Sequence, residues 1–344
     1  MRRSAALQAQ RAALLASTEA LLKPHRLSAS VIIAASAQSL PPGASTNGGG
    51  SSESGADYKV CLLQRAAKST FMPDVMVFPG GAVDSADVAV AEALVGSSDL
   101  NAVTAVAAAR EAFEESGIAI ADSSVHLSHA DCARWRTEVQ GDASQFVRFY
   151  EQYGASLGLS QLTPLCSFIT PDMEHARLPK GGFDARFYLH CCSDAATLAH
   201  AATDANETVK LAWLSPSEAL AASDAGDIFL APPQWYILND LAGCSRLADL
   251  AAFMSGPAHA LSLDYPIKPF VATLDAEDQA AGFESALCYP GDAEHPIFPG
   301  GSGQRHRMVM AGKFGQRMRY GLRRDAIELP LKEAQSGWYQ LAKL

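Results

Sequence analysis

The chain has 344 residues, 48% hydrophobic and 19% charged, which excludes a wholly disordered protein and leaves room for two domains or one enlarged one. Its net charge of -10 speaks against a general binder of nucleic acid or of an anionic membrane, because such a binder needs a basic footprint. An anionic substrate would therefore require a local counter-charge, either a divalent ion or a confined basic patch.

Seven cysteines (Cys61, Cys132, Cys166, Cys191, Cys192, Cys244, Cys288) form no C-x-x-C pair, so a reducing compartment without structural zinc is expected. No run approaches 18 consecutive apolar residues, and no membrane span is expected. Residues 1–27 are basic, with Arg2, Arg3, Arg11, Lys23 and Arg26, and carry leucines at helical spacing. They read as an N-terminal helix or as an amphipathic transit peptide, which would direct the chain to the mitochondrion.

Strands are expected at Ser30–Ala35 and Tyr58–Gln64, joined by a long hydrophilic loop over residues 41–56. A short strand at Val75–Phe78 runs into Pro79-Gly80-Gly81, and residues 102–116 are strong helix formers stopped by Gly117. Phe146, Phe149, Tyr150, Tyr153 and Leu157 recur at helical spacing. Strands follow at Leu165–Thr170, Ala185–Cys192 and Thr208–Trp213; a helix capped by Ser215 or Ser217 and a second helix in PPQWYILNDLAG come next. Later strands are expected near Phe270–Leu274, Ser285–Tyr289, Met308–Met310 and Gln316–Leu322. His126, His129, Asp131 and Cys132 have a loose metal-like spacing but read as polar loop residues. Phe71, Trp135 and Phe146 could cover a ligand, and core packing is the expected role for each.

The most informative stretch is REAFEESGI at residues 110–118. On a helix, Glu111 and Glu115 share a face with Glu114 at its edge, and three such carboxylates repel by a few tenths of a kcal/mol per pair unless a cation neutralises them. Mg2+ or Mn2+ suits an all-oxygen set, and Arg110 can hold one carboxylate with a forked hydrogen bond.

Together with the preceding Phe78-Pro79-Gly80-Gly81, these residues resemble the Nudix box, G-x5-E-x7-REUxEExGU. Gly81 matches its opening glycine, and Arg110, Glu111, Glu114, Glu115, Gly117 and Ile118 match its second half. Gly81 and Arg110 are 29 positions apart, about 15 more than the box requires, so its first glutamate is read as missing, with Asp84 or Asp87 nearby. An enlarged box is a mark of the peroxisomal coenzyme A diphosphatases within the Nudix superfamily. The upstream coenzyme A signature LLTxR[SA]x3Rx3Gx3FPGG is approached by Leu62, Leu63, Arg65 and Phe78 to Gly81, with Thr70 and Asp74 in place of its second arginine and its glycine.

The resemblance implies an α/β fold, an α/β/α sandwich around a mixed sheet. It assigns residues 28–214 to a Nudix domain with insertions at 41–56, 84–101 and 125–160, and residues 215–344 to a C-terminal α+β extension. It also implies metal-dependent hydrolysis of the diphosphate of coenzyme A or acyl-CoA to 3',5'-ADP and (acyl-)4'-phosphopantetheine. Metal ligands would be Glu111, Glu115 and Glu114, aided by the Gly81 carbonyl. Glu114, Glu111 and Arg110 form the expected catalytic group, with Glu151, Glu174 and Asp184 as other places for the base. Arg65, Phe78, Gly80 and Gly81 would meet the substrate. Another nucleotide substrate (NADH, ADP-ribose) and a silent nucleotide-binding module are the competing readings.

Residues 305–324 hold seven Lys or Arg and no acid. Arg317 and Arg319, sharing a strand face, are expected either to hold the 3'-phosphate of coenzyme A or to pair with the acidic remainder. The chain ends in Ala342-Lys343-Leu344, which resembles the S-K-L type of peroxisomal address and implies an import receptor as partner.

Overall fold

The computed structural model describes residues 25–41, 55–68, 72–172, 182–203, 208–256, 266–312 and 318–325. The expectations for residues 1–24, most of the 41–56 loop, Thr70, Phe71, Glu174, Arg317 and Ala342 to Leu344 fall outside them.

Strand β1 (Arg26–Ser36) is the axis of the fold. Its run of apolar residues, Val31 to Ala35, is buried on both faces, as a strand covered from two sides requires. Strand β6 (Phe183–Cys192) pairs with it in parallel along ten residues, and β5 (Thr163–Ile169) continues the sheet beyond β6. On its other edge β1 meets β2 (Tyr58–Arg65) only at Ala34 to Ser36; the two strands then part. The fork between them is filled by two short strands: β3 (Val75–Val77) pairs with β2, and β4 (Gly80–Ala82) pairs with Ser28 to Ser30 of β1. Strand β7 (Thr208–Leu214) lies on the outer edge of β2, and β8 (Phe229–Leu230) pairs with β3, giving an eight-stranded mixed sheet.

Alternation along β1 and β2 divides the core in two. Ala29, Val31, Ile33, Cys61 and Leu63 face helix α2 (Leu100–Ser116), whose Ala107, Ala108, Ala109 and Ala112 are fully buried. The Asp99 carboxylate caps α2 by accepting from the Asn101 and Ala102 N–H groups, and Gly117 ends it at φ 75°. Helix α1 (Asp87–Val95) lies within the box insertion and packs Val90 and Ala91 into this same layer. Helices α3 (His129–Gly141) and α4 (Gln145–Tyr153) cover the outside of α2. Phe149 sits 4.6 Å from Phe113 and 5.8 Å from Trp135, ring centre to ring centre. The inserted aromatics therefore belong to the core, and α4 ends at Gly154 before Leu157.

The second face holds Ile32, Ala34, Tyr58, Val60 and Leu62. The short helix α5 (Ala195–Leu198) follows β6 in the chain, and this second face is covered by segments beyond residue 214. These include α6 (Pro216–Ala225), opened by a Ser215–Glu218 capping box, so that Ser215 rather than Ser217 is the cap, α7 (Pro232–Leu241) and α8 (Leu247–Met254). Beyond them a four-stranded antiparallel sheet is built from β9 (Phe270–Ala272), β10 (Ser285–Cys288), β11 (His306–Gly312) and β12 (Met318–Arg324). Tyr289, Met308, Met318 and Tyr320 enter the second core directly. The C-terminal region thus shares its core with the main sheet, as the sandwich architecture requires.

Candidate active site

The site forms where the fork of β1 and β2 meets the last turns of α2. Crossing from β3 to β4, the Pro79 carbonyl accepts from Val31 N–H at 2.9 Å, which presses the turn against β1. A Cβ on Gly80 would stand 2.5 Å from the Ala29 carbonyl, and one on Gly81 would stand 2.5 Å from the carboxyl carbon of Glu111. Gly80 is needed because β1 lies directly against this turn, and Gly81 because the acidic face of α2 rests on it. Gly80 N–H donates to Glu115 Oε2 at 2.8 Å.

The acidic helix is enclosed rather than solvated. Arg110, Glu114 and Glu115 are 4%, 7% and 4% exposed, respectively. Arg110 binds Asp87 through a two-toothed pair, Nε–Oδ1 at 2.8 Å and Nη2–Oδ2 at 2.9 Å. Its Nη1 donates to Glu111 at 3.0 Å and to Glu114 at 2.7 Å. Burial opposes the charge on this guanidinium, but the Asp87 hydrogen bonds and the neighbouring carboxylates outweigh it and raise its pKa. Burial also pushes the Glu111 carboxyl up to about 7; Arg110 pulls it down, while Glu114 and Asp87 push it up again. The cluster holds more negative charge than Arg110 can balance.

Asp87 changes the reading of the box. It stands six positions after Gly81, the spacing G-x5-E requires, with aspartate in place of glutamate. The first acid is therefore present, and the extra residues lie between Asp87 and Arg110, where they form α1 and its link to α2. Asp87 is fully buried, whereas Asp84 caps the turn locally by accepting from the Ala86 N–H. Asp74, where the coenzyme A signature has glycine, lies at φ 61°, a left-handed conformation that aspartate tolerates better than most residues.

Other expected residues fall elsewhere. Phe78 is 1% exposed and packs edge-on against Phe187, so its place is in the second core rather than against a ligand. Arg65 ends β2 at an irregularity in its pairing with β7, opposite Thr208. Arg319 belongs to the small sheet, which packs on the face opposite α2; its guanidinium donates to the Ala281 carbonyl at 2.6 Å and lies over Phe283. The structure does not bring it to the acidic cluster. Its basic neighbours among the described residues are occupied by pairing: Arg305 with Asp275 and Asp325, Arg307 with Asp292 and Glu294, Arg323 with Asp278, and Arg324 with Asp240. Among the other base candidates, Asp184 is buried beside Ser167 and Arg186, and Glu151 is exposed on α4.

Sequence spacing gave no sign of Arg136. From α3 its Nε donates to the Glu114 carbonyl and its Nη2 to the Glu115 carbonyl, both at 2.9 Å, binding the C-terminal turn of the acidic helix. A cation at a helix C-terminus is favoured by the helix dipole and satisfies carbonyls that have no partner within the helix.

Among the described residues, no three or more His, Cys, Asp or Glu side chains stand together as a metal-ligand group. Of the expected set, Glu111 and Glu114 face Arg110, and Glu115 faces Gly80 N–H. The donor chemistry nevertheless suits a hard divalent ion, because the carboxylates are oxygen ligands in surplus and the partly open Glu111 is short of positive charge.

A family model described as the NUDT19 Nudix domain matches residues 25–99 and 95–241, well over half of the chain. The chain belongs to the Nudix hydrolase family. Two curated relatives, both named acyl-coenzyme A diphosphatase NUDT19, come from Gallus gallus and Xenopus laevis. The first is 29% identical, covering 72% of this chain and 76% of the relative, and the second is 26% identical, covering 75% and 77%. A crystal structure of a Nudix hydrolase from Alicyclobacillus acidocaldarius superposes with a TM-score of 0.52 at 20% identity, over 66% of this chain and 96% of that one, and shares the fold. The Nudix hydrolase described here carries the second half of its box on a largely buried helix.

The raised pKa of Glu111 predicts a pH-dependent stability for the metal-free enzyme. An acid whose folded pKa lies above its unfolded value stabilises below the unfolded pKa, and that contribution is lost as pH rises through the folded one. In chelator, Tm should fall between about pH 4.5 and pH 7, and Glu111→Gln should flatten this slope. An identical slope in the variant would remove Glu111 as its source.

Proposed function

We propose that this Nudix hydrolase cleaves the diphosphate bond of coenzyme A or an acyl-CoA, giving 3',5'-ADP and 4'-phosphopantetheine or its acyl derivative, with Mg2+ or Mn2+. The observation that carries this reading is the pairing of a complete acidic box with relatives named acyl-coenzyme A diphosphatases that match it along about three quarters of the chain.

Glu111 and Glu115 are the residues that would hold the ion. Glu111 is the most open of the three glutamates, and Glu115 is held at the Gly80 turn. Glu114, with the shorter of the two Arg110 contacts to glutamate, serves as a further ligand or as the base. A bound divalent ion screens the diphosphate and lowers the pKa of the attacking water. The protein contributes position: Arg110 fixes Glu111 and Glu114 from one side, the glycine turn fixes Glu115 from the other, and Arg136 holds the helix end that carries them. Enclosure by α1, α3 and α4 strengthens each of these charge interactions relative to water.

Incubating the enzyme with Mg2+ and a panel of coenzyme A, acyl-CoAs, NADH and ADP-ribose, then weighing the products, tests the substrate. The reading requires 3',5'-ADP from the coenzyme A arms; cleavage confined to NADH or ADP-ribose would replace it with another Nudix diphosphatase, and no cleavage with a silent binding module. Glu115→Gln should lower turnover by several orders of magnitude while the protein stays folded. Unchanged turnover at saturating Mg2+ would defeat the ligand assignment.

We also place this activity in the peroxisome, on the strength of Ala342-Lys343-Leu344 read as an import-receptor address. Fusing a fluorescent protein after Leu344 hides the carboxylate such a receptor grips, and the fusion should remain in the cytosol; peroxisomal fluorescence would refute the assignment.

A further inference from the structure

His129, the first residue of α3, and His200, just beyond α5, are distant in sequence and meet in the fold. Their Nδ1 atoms are 3.1 Å apart, with the rings edge-to-face and their centroids 4.4 Å apart. His200 Nε2 lies 2.7 Å from the Leu127 carbonyl, which can only accept, so Nε2 carries the proton and Nδ1 of the neutral ring presents a lone pair. A carbonyl on the far nitrogen is the arrangement that fixes a metal-binding histidine in its tautomer. In the metal-free protein His129 Nδ1–H supplies the hydrogen of the contact.

Two ring nitrogens at this separation also suit one ion. With metal–nitrogen bonds of about 2.0–2.1 Å, they subtend an angle of about 100°, between the octahedral and tetrahedral values. Small rotations of the rings turn both lone pairs to one point, and His129 moves its proton to Nε2. His129 is exposed and His200 half-buried beside a recess lined by Gly117, Val125, Leu127 and Thr197, which leaves the remaining coordination positions to water.

We propose that His129 and His200 form a second metal site, for a borderline divalent transition ion of the Zn2+, Ni2+ or Cu2+ class, completed by water and separate from the acidic cluster. Imidazole favours these ions, whereas carboxylates favour Mg2+ and Mn2+, so the two sites select different metals. The position gives the ion a structural effect. Helix α3 carries Arg136, which holds the end of α2, and Ala202 N–H donates to the Ser116 carbonyl at 3.0 Å. The ion clamps both segments together against the end of the acidic helix.

Calorimetric titration of the full chain with Zn2+, in excess Mg2+ to occupy the acidic cluster, tests the site. One equivalent per chain should bind, weakened about tenfold or more in both His129→Ala and His200→Ala and retained in Glu115→Gln. Electron paramagnetic resonance of the Cu2+-loaded wild type should show coupling to two imidazole nitrogens, which needs no variant to fold. Absence of binding, binding unchanged in both histidine variants, or a Cu2+ spectrum without nitrogen coupling would overturn the proposal.

Discussion

The arrangement of this enzyme depends on one buried guanidinium. Removing Arg110 from water is costly unless its hydrogen bonds are satisfied, and a bidentate carboxylate is the partner best matched to its planar fork. Asp87 fills that role, and Glu111 and Glu114 occupy the remaining side. Because Asp87 opens α1 and Arg110 lies in α2, the pair fixes the ends of the box insertion: the chain departs at Asp87, forms a helix, and returns with the second half of the motif in register with the first. An enlarged box can therefore keep the geometry of a short one.

Arg110 balances only part of the acid around it. The remainder shows in the displaced pKa of Glu111, and it is the physical reason to expect a cation here. Everything around the cluster limits its freedom to relieve that repulsion by moving. The forked sheet puts Gly80 and Gly81 beneath it, α3 and α4 cover it, and Arg136 grips its last turn. On the far side of the sheet, the C-terminal region closes the second core and keeps β1 dry on both faces. The acidity of the sequence is in this sense partly structural: the basic stretch at 305–324 is largely occupied in pairing with aspartates and glutamates.

Much of this was legible in the sequence because it is local. The apolar runs of β1 and β6, the helix stop at Gly117, the capping box in SPSEAL and the REAFEESGI pattern each carry their meaning within a few residues. What escaped was set by distance. Helix α1 is short and weakly amphipathic, so its periodicity was faint; Arg136 lies a helix away from the carbonyls it binds; and His200 gives no hint of His129. Phe78 sits in a motif that suggests ligand contact, yet its position directly after β3 turns the ring into the core. Strand alternation puts Arg317 and Arg319 on one face of their strand, but it says nothing about which side of the molecule that strand occupies. The first acid of the box is obscured in the sequence because it is an aspartate and is followed by the long gap, although Asp87 stands at the proper spacing from Gly81.

The most direct measurement is anomalous diffraction from crystals of the enzyme loaded with Mn2+. The account predicts Mn2+ bound by the Glu111 and Glu115 carboxylates, with the Arg110–Asp87 pair unchanged behind them. Mn2+ bound elsewhere, with Glu111 still on Arg110 and Glu115 still on Gly80 N–H, would contradict it.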